Sequence, residues 1–198
     1  AHGAGSYTSR TVTKRWNKRC EQLADAAERF SSAALINGLS VYPQYGIDEA
    51  WKKVIAHHFH DDITGTSFEK CYKRSHNDYV QAMNTFSAEY TAACKALASQ
   101  LDTSFALGTP VIVSNPVQSL SGRKQAVKVN ITSTAKHFRV FNKDGIEVPA
   151  QSKILSEKEK EVTFLADVAS CSLTVYDLRE SAEECNISNE LKISENYI

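Results

Sequence analysis

The sequence predicts an α+β protein in which an antiparallel three-helix bundle, residues 1–104, is followed by an antiparallel β-sandwich-like domain, residues 105–198. Two observations carry this prediction. Before residue 105 apolar residues recur every three or four positions, as on the buried face of a helix. After Thr109 they alternate with polar residues, as in half-buried strands. The 42% apolar and 23% charged content is ordinary for a packed globular protein.

Three amphipathic stretches make up the first half. The first runs from Val12 to Ala34, and Asn37-Gly38 supplies the left-handed position at which such a helix ends. The second takes Asp48 as its N-cap. The third is about nine turns long, and Thr66 with Glu69 forms a capping box in front of it. Short connections between three such helices favour an antiparallel bundle.

Short β-branched or aromatic runs make up the second half. They are PVIVSNP, QAVKVNI, HFRVFN, IEVPAQ, KEVTFLADV, SCSLTVYDL and NELKIS. Turn formers such as Ser121-Gly122 and Asp144-Gly145 separate them, which predicts an antiparallel arrangement. The last run lies within residues 189–198 and has no closing turn, so we expect the β domain to be truncated in this chain.

Charge and composition exclude several classes of partner. Lys plus Arg and Asp plus Glu are both 23, so the chain lacks the excess of positive charge that is typical of proteins that bind nucleic acid or an anionic membrane. No apolar run reaches the roughly 18 residues that a membrane-spanning helix needs. The five cysteines are odd in number and have no CxxC spacing, which argues against a disulfide framework or a cysteine zinc site. We expect them to be mostly small buried hydrophobic residues.

The segment His57–Thr66, HHFHDDITGT, is the main candidate for chemistry. His57, His60 and Asp61 lie at helical spacings of three and four, so they can share a face at the end of the second helix. Imidazole and carboxylate groups are typical zinc ligands, but the same residues also occur as caps and solvated groups at helix ends. Zinc needs three or four ligands, and the other histidines stand alone: His2, His76 and His137. If a metal binds here, most of its ligands come from elsewhere.

FHDDITGT, preceded by AWKKVIAHH and followed by NDY at Asn77–Tyr79, resembles the HHDAITGT segment of the glycoside hydrolase family 38 α-mannosidases. Other stretches resemble this family in the same order along the chain. GSYTSRTVTKRWNKRCEQLADAAE is similar to the entry into its middle three-helix bundle, and VIVSNPVQSLSGRKQAVKVN, FNKDGIEVPAQ and NELKIS are similar to strands of its C-terminal β region. The likeness therefore spans most of the chain.

The resemblance implies a middle-domain fragment of a zinc-dependent retaining α-mannosidase that hydrolyses α-mannosidic bonds of glycans. In that family this segment provides the last histidine ligand of a catalytic zinc and an aspartate that contacts the sugar. Carried over, His60 is the zinc ligand and Asp61 is the substrate contact. The remaining ligands, the nucleophile and the acid/base belong to an N-terminal α/β domain. The implied partners are thus a mannose-containing glycan and the remaining domains of the parent chain, and the fragment alone is expected to be inactive and to hold zinc weakly or not at all.

Two positions depart from the family pattern. Phe59 stands where the family has its first histidine, and Asp62 stands where alanine or glycine is common. Neither change removes the proposed zinc ligand, His60. We expect Asp62 or a backbone carbonyl to accept a hydrogen bond from the second ring nitrogen of His60. Two alternatives remain open: a noncatalytic carbohydrate-binding protein, or a helical interaction module in which His57, His58 and His60 cap a helix.

Overall fold

The computed structural model describes residues 4–118 and 123–187, so the expected Ser121-Gly122 turn and the last expected strand lie outside the described residues. The chain divides into two compact units, Ala1–Gln100 and Leu101–Ile198. The first unit is helical and the second is built from antiparallel strands. The α+β class predicted from the sequence is therefore confirmed.

From residue 4 onward, the helical unit contains a 3₁₀ turn, Ala4–Tyr7, and four helices: α1 (Thr11–Ile36), α2 (Gln44–Ala56), α3 (His60–Thr64) and α4 (Glu69–Ala98). α1 and α4 run parallel, because their contacts occur in the same order along both helices: Trp16 touches His76 near one end and Phe30 touches Tyr90 near the other. Trp51 of α2 packs on Phe86 of α4 while the residue after α2 reaches Asp78, so α2 runs in the opposite direction. The three long helices thus form an up-down-up bundle.

Small residues on α1 let the helices of the bundle approach closely. The buried core consists of Cys20, Ala24, Ala27, Ile47, Ala50, Val54, Tyr79, Ala82 and Phe86. Alanines on α1 leave room for the aromatic side chains of α4, and both tryptophans of the chain pack against the same core. This complementarity of small and large side chains is what excludes voids from a helical core.

Two predicted helix starts differ from the structure. α2 begins at Gln44, one turn before Asp48, because Pro43 provides a restricted φ at its entrance. The predicted capping box in front of α4 is wrong: Phe68 is the N-cap and makes no side-chain capping bond, while Thr66 donates to the preceding α3 turn. The C-terminal end of α1 agrees with the prediction, because Asn37 is the C-cap and Gly38 has a left-handed φ of 69°.

Within residues 101–118 and 123–187, the β unit contains seven strands: β1 (Thr109–Asn115), β2 (Arg123–Thr132), β3 (His137–Phe141), β4 (Glu147–Val148), β5 (Ala150–Ile154), β6 (Glu159–Val168) and β7 (Ser172–Ser181). They form one sheet of order β1-β7-β3-β4 and a second of order β2-β6-β5, with every pair antiparallel. One core joins both sheets, which makes the unit sandwich-like: Phe138, Val140, Val162, Phe164, Ala166, Val168, Tyr176 and Leu178. The expected IEVPAQ strand is two strands, because Pro149 interrupts it.

A buried carboxylate ties the start of the β unit to strand β7. Asp177 is fully buried and accepts hydrogen bonds from the amides of Leu107 at 2.9 Å and Gly108 at 2.8 Å and from Arg179 Nε at 2.7 Å. Burial alone would raise the pKa of Asp177, but these three donors together hold it below its usual value. The carboxylate is therefore a stabilising acceptor in its ionised form.

The prediction that the cysteines are mostly buried is wrong. Cys20 is buried in the helical core, Cys71 and Cys171 are exposed, and Cys94 and Cys185 are partly buried. An isolated small apolar residue gives no local signal of which way it faces. Across residues 4–118 and 123–187, no helix combines the length and apolar character that crossing a bilayer requires.

Candidate functional site

The segment His57–Thr66 does not continue α2. α2 ends at Ala56, and Phe59 then adopts an extended backbone, with φ −50° and ψ 136°, before the short helix α3 begins at His60. This break invalidates the prediction that His57, His60 and Asp61 share a face. His57 is buried, with 7% of its surface exposed, whereas the side chains of His60 and Asp61 are 77% and 50% exposed.

His60 and Asp61 form an outward-facing pair of ligand-type side chains. His60 Nε2 lies 3.4 Å from Asp61 Oδ2, and the half-exposed ring of Phe59 lies against the His60 ring with centroids 4.2 Å apart. An imidazole nitrogen and a carboxylate therefore stand side by side at the surface. Both are accessible to a group that approaches from outside the bundle.

The Thr-Gly-Thr sequence after α3 shapes the turn that carries this pair. Thr64 Oγ1 donates to the His60 carbonyl, which closes the single turn of helix. Thr66 Oγ1 donates to Asp61 Oδ1 at 3.0 Å and its amide to the Asp61 carbonyl at 3.0 Å. The second threonine therefore fixes the Asp61 carboxylate and the end of the helix together.

Gly65 is required by both its backbone and its surroundings. Its φ of 93° lies in the left-handed region, and an added Cβ would overlap Ser9 Oγ. That hydroxyl is held in place because it donates to the Thr64 carbonyl at 2.7 Å. The segment before α1 thus packs against the α3 turn at a point where only glycine fits.

The phenol of Tyr72 attaches the backbone of α3 to α4. Its hydroxyl donates to the Asp61 carbonyl at 3.1 Å and accepts a hydrogen bond from the Ser67 amide at 3.0 Å. The guanidinium of Arg10 lies 4.3 Å from the centre of the Tyr72 ring, within the range of a cation–π interaction. Tyr72 is buried, so this attachment is shielded from solvent.

Asp62, the neighbour of the outward pair, faces into the bundle. Its Oδ2 accepts a hydrogen bond from Ser75 Oγ at 2.8 Å and lies 2.7 Å from His57 Nδ1. The other ring nitrogen of His57, Nε2, lies 3.0 Å from Asp78 Oδ2. Of the two partners expected for the second ring nitrogen of His60, Asp62 or a backbone carbonyl, Asp62 is the wrong one, because it supports His57 instead.

We call His57, Asp62, Ser75 and Asp78 the inner network. Sequence reasoning missed it, although Asp78 lies in the NDY motif and Asp62 was recognised as unusual. The signal that could have revealed it is a polar position in α4, Ser75, on the same face as buried Tyr72 and Tyr79. A polar residue on an apolar stripe needs a buried partner.

The donors present suit one side of a zinc site. Among the described residues, no group of three or more His, Cys, Asp or Glu side chains is arranged to hold a metal ion. His60 and Asp61 offer an imidazole nitrogen and a carboxylate oxygen, both typical of zinc and both exposed. The residues fit zinc as an incomplete set whose other ligands must come from outside this group.

A family model for the alpha mannosidase middle domain matches residues 3–97. Alpha-mannosidase 2C1 of Mus musculus is 29% identical over 94 residues, which cover 47% of this chain and 9% of that protein. Alpha-mannosidase 2C1 of Homo sapiens is 27% identical over the same length and coverage. Alpha-mannosidase G of Dictyostelium discoideum is 32% identical over 71 residues, or 35% of this chain and 6% of that protein.

Solved structures extend the likeness over both units. A protein in glycosyl hydrolase family 38 from Enterococcus faecalis covers 96% of this chain with a TM-score of 0.73 at 18% identity, and the match spans 26% of that protein. An alpha-mannosidase from Enterococcus faecalis V583 gives 95% coverage, a TM-score of 0.73 and 18% identity over 25% of its length. At this identity the structures show a shared fold. The family model and the curated relatives show that residues 3–97 are similar to an alpha mannosidase middle domain, and the solved structures show that most of the chain shares their fold.

Proposed function

We propose that this chain is part of a zinc-dependent retaining α-mannosidase that cleaves α-mannosidic bonds of glycans. It forms one wall of an active site that other domains of the parent chain complete. The single observation that carries the proposal is the outward presentation of His60 and Asp61 on the α3 turn. Most polar groups of the surrounding turn are used to hold this pair in place.

His60 is the proposed metal ligand. Its side chain is 77% exposed and its Nε2 lies 3.4 Å from Asp61 Oδ2, so a group that approaches from outside can reach this nitrogen. His60 would hold a zinc ion there as one of its ligands, and the ion would supply positive charge that orients sugar hydroxyl groups. A neutral imidazole suits this role because it leaves the charge of the ion almost unchanged.

Asp61 is the proposed substrate contact. An ionised carboxylate only accepts hydrogen bonds, so it matches the hydroxyl donors of a sugar. Thr66 already occupies Oδ1 at 3.0 Å, which fixes the carboxylate plane and leaves Oδ2 towards the His60 side. A preset carboxylate loses less conformational freedom when the substrate binds.

The bond-breaking groups are proposed to lie in other domains of the parent. Retaining hydrolysis uses two carboxyl groups about 5 Å apart, one as nucleophile and one as acid/base. The family resemblance assigns both to an N-terminal α/β domain. We therefore propose that the chain alone is inactive, and that it holds zinc weakly, because two donors give little of the affinity of three or four.

The experiment is a comparison of variants in the full-length parent. We would measure hydrolysis of an aryl α-mannoside together with zinc content by mass spectrometry. His60→Ala should lose bound zinc and about 100-fold or more in kcat/KM, a few kcal/mol of transition-state stabilisation. Asp61→Asn should keep its zinc but lose activity. His58→Ala is the matched control, because His58 is an exposed neighbour that bonds Asn17 Oδ1 at 2.7 Å rather than facing the pair.

Two results would contradict the proposal in different ways. Unchanged activity and zinc content in His60→Ala would mean that HHFHDDITGT only ends a helix, as in a helical interaction module. No activity in the unmodified parent would favour a noncatalytic carbohydrate-binding relative. Equal losses in His60→Ala and His58→Ala would indicate damage to the fold instead of removal of a ligand.

A further inference from the structure

We infer that the inner network positions the α3 turn, so that His57 and Asp62 act as positioning residues for His60 and Asp61. The inference rests on the proposed function, in which the outward pair contacts metal and sugar. It adds a role for buried residues that make no such contact. Its evidence is the burial, the hydrogen bonds and the charges of the network.

α3 is attached to the bundle through a polar side chain. Within α3, all of which is described, Asp62 is the buried residue. Apolar burial holds a helix against a core but is not directional, whereas hydrogen bonds fix which way a side chain points. The bonds of Asp62 therefore fix the direction of its side chain and, together with the bonds of Tyr72 to the backbone of α3, the rotation of α3 about its axis.

The network joins the three elements that meet at this end of the bundle. His57 is the C-cap of α2, Asp62 lies in α3, and Ser75 and Asp78 lie one turn apart on α4. Three contacts of 2.7, 2.8 and 3.0 Å link them in a chain from Ser75 through Asp62 and His57 to Asp78. A movement of α3 would break at least two of these contacts.

The network also decides which of two adjacent acids points outward. Successive helical residues are rotated by about 100°, so a rotation of α3 by one position would bury Asp61 and expose Asp62. Asp62 finds both a hydroxyl donor and an imidazole in the bundle, and this pairing keeps it inside. His60 and Asp61 are consequently held on the solvent side.

A carboxylate oxygen lies at each ring nitrogen of His57. The exposed Arg74 lies 3.8 Å from Asp78 Oδ2 and balances its charge from the surface, while the Tyr79 ring lies against His57 with centroids 5.3 Å apart. Such a buried arrangement costs desolvation free energy, which favours a role in geometry over one in stability.

One oxygen of Asp62 also loses its hydration without gaining a hydrogen bond in the folded chain. Among the described residues, Asp62 Oδ1 is buried and has no hydrogen-bond partner. An apolar side chain at this position would avoid that cost but would lose the directional bonds. The arrangement is thus explained by the direction in which it holds α3.

The test uses the full-length parent with Asp62→Ala, Asp62→Asn and Ile47→Ala. Ile47 is buried at the opposite end of α2, so its alanine variant is a control for general destabilisation. The readouts are kcat and KM, zinc content, and hydrogen exchange of the peptide covering residues 60–67. The last reports on α3 whether or not the parent hydrolyses mannosides.

We expect Asp62→Ala to speed amide exchange in residues 60–67 and to lower kcat/KM by roughly 10- to 100-fold, the range typical of groups that orient a metal ligand. Asp62→Asn keeps the shape of the side chain and one acceptor. Its amide exchange and its kcat/KM should therefore lie between those of Asp62→Ala and those of the unmodified parent. Ile47→Ala should lower the unfolding temperature without changing exchange in residues 60–67 or kcat/KM below that temperature.

The inference and the proposed function fail in different ways. Unchanged exchange in Asp62→Ala, or faster exchange with unchanged kcat/KM, would overturn the positioning role while His60→Ala still abolishes activity. Equal effects of Ile47→Ala and Asp62→Ala would also overturn it, since a general loss of stability would then explain both. An effect of Asp62→Ala on exchange with no effect of His60→Ala on activity would refute the proposed function instead.

Discussion

Replacing Gly65 with alanine tests whether the α3 turn is held from both sides. The change introduces a side chain at a left-handed φ of 93° and places its Cβ 3.2 Å from Ser9 Cβ and against Ser9 Oγ. Gly38→Ala is the matched control, because Gly38 lies in the same unit at a similar φ of 69° but has no atom within 4 Å of an added Cβ. The difference between the two variants therefore reports the contacts of the added Cβ with Ser9 and, at 3.3 Å, with Arg10 Cγ.

Gly38→Ala and Gly65→Ala are expected to lower the free energy of unfolding by different amounts. Backbone strain at a left-handed position costs about 1–2 kcal/mol for an alanine, which is the whole effect expected at Gly38. At Gly65 the clash adds a further 1–3 kcal/mol, the typical cost of overpacking. It also displaces the Ser9 hydroxyl, whose bond to Thr64 is worth about 1 kcal/mol. Gly65→Ala should therefore cost about 3–6 kcal/mol.

Denaturant unfolding of the chain provides the assay. Both tryptophans, Trp16 and Trp51, lie in the helical unit, so tryptophan fluorescence reports on this unit alone. In a Ser9→Ala background, Gly65→Ala should cost about 1–2 kcal/mol less than in the unmodified chain, because the hydroxyl that it strikes is gone. Equal costs for Gly65→Ala and Gly38→Ala would refute the reasoning, since the contact with Ser9 would then contribute nothing.

Two further predictions concern titratable groups. Asp177→Asn should destabilise the β unit by about 2–3 kcal/mol at pH 7, because the amide cannot accept from both Leu107 and Gly108. Since the pKa of Asp177 is lowered in the folded state, the stabilisation is present above about pH 4 and is lost as pH falls through the folded pKa. Urea titrations should therefore show that the difference in free energy of unfolding between Asp177→Asn and the unmodified chain disappears in acid. A difference that does not depend on pH would contradict this. Burial raises the pKa of Cys20 to about 11, so peptide mapping after alkylation at pH 8 should find Cys71 modified and Cys20 unmodified in the folded chain; equal modification would contradict it.

The helical part of the fold was predictable where its apolar period is long. α1 and α4 show their buried faces directly in the sequence, and Asn37-Gly38 marks the end of α1 because glycine is favoured at a left-handed position. The start of α2 was misplaced, because Asp48 has the composition of an N-cap while Pro43 sets the first turn in the structure. Local composition identifies possible caps but does not choose between them.

The break between α2 and α3 was not predictable from spacing. The intervals between His57, His60 and Asp61 fit a helix, but the extended backbone at Phe59 interrupts it. A five-residue helix has too few positions to show a period of its own. The turn after it was easier to interpret, because Gly65 is the residue expected where the chain reverses sharply.

By itself, the sequence determined the α+β class, the order of helices before strands, and the location of the His-Asp pair next to a glycine turn. Tertiary structure decided which histidine and which aspartate face inward. His57 and His60, like Asp61 and Asp62, have the same intrinsic polarity, so no local pattern distinguishes them. On a later helix, buried Ser75 and partly buried Asp78 provide the hydrogen-bond partners that draw His57 and Asp62 inside and leave His60 and Asp61 at the surface.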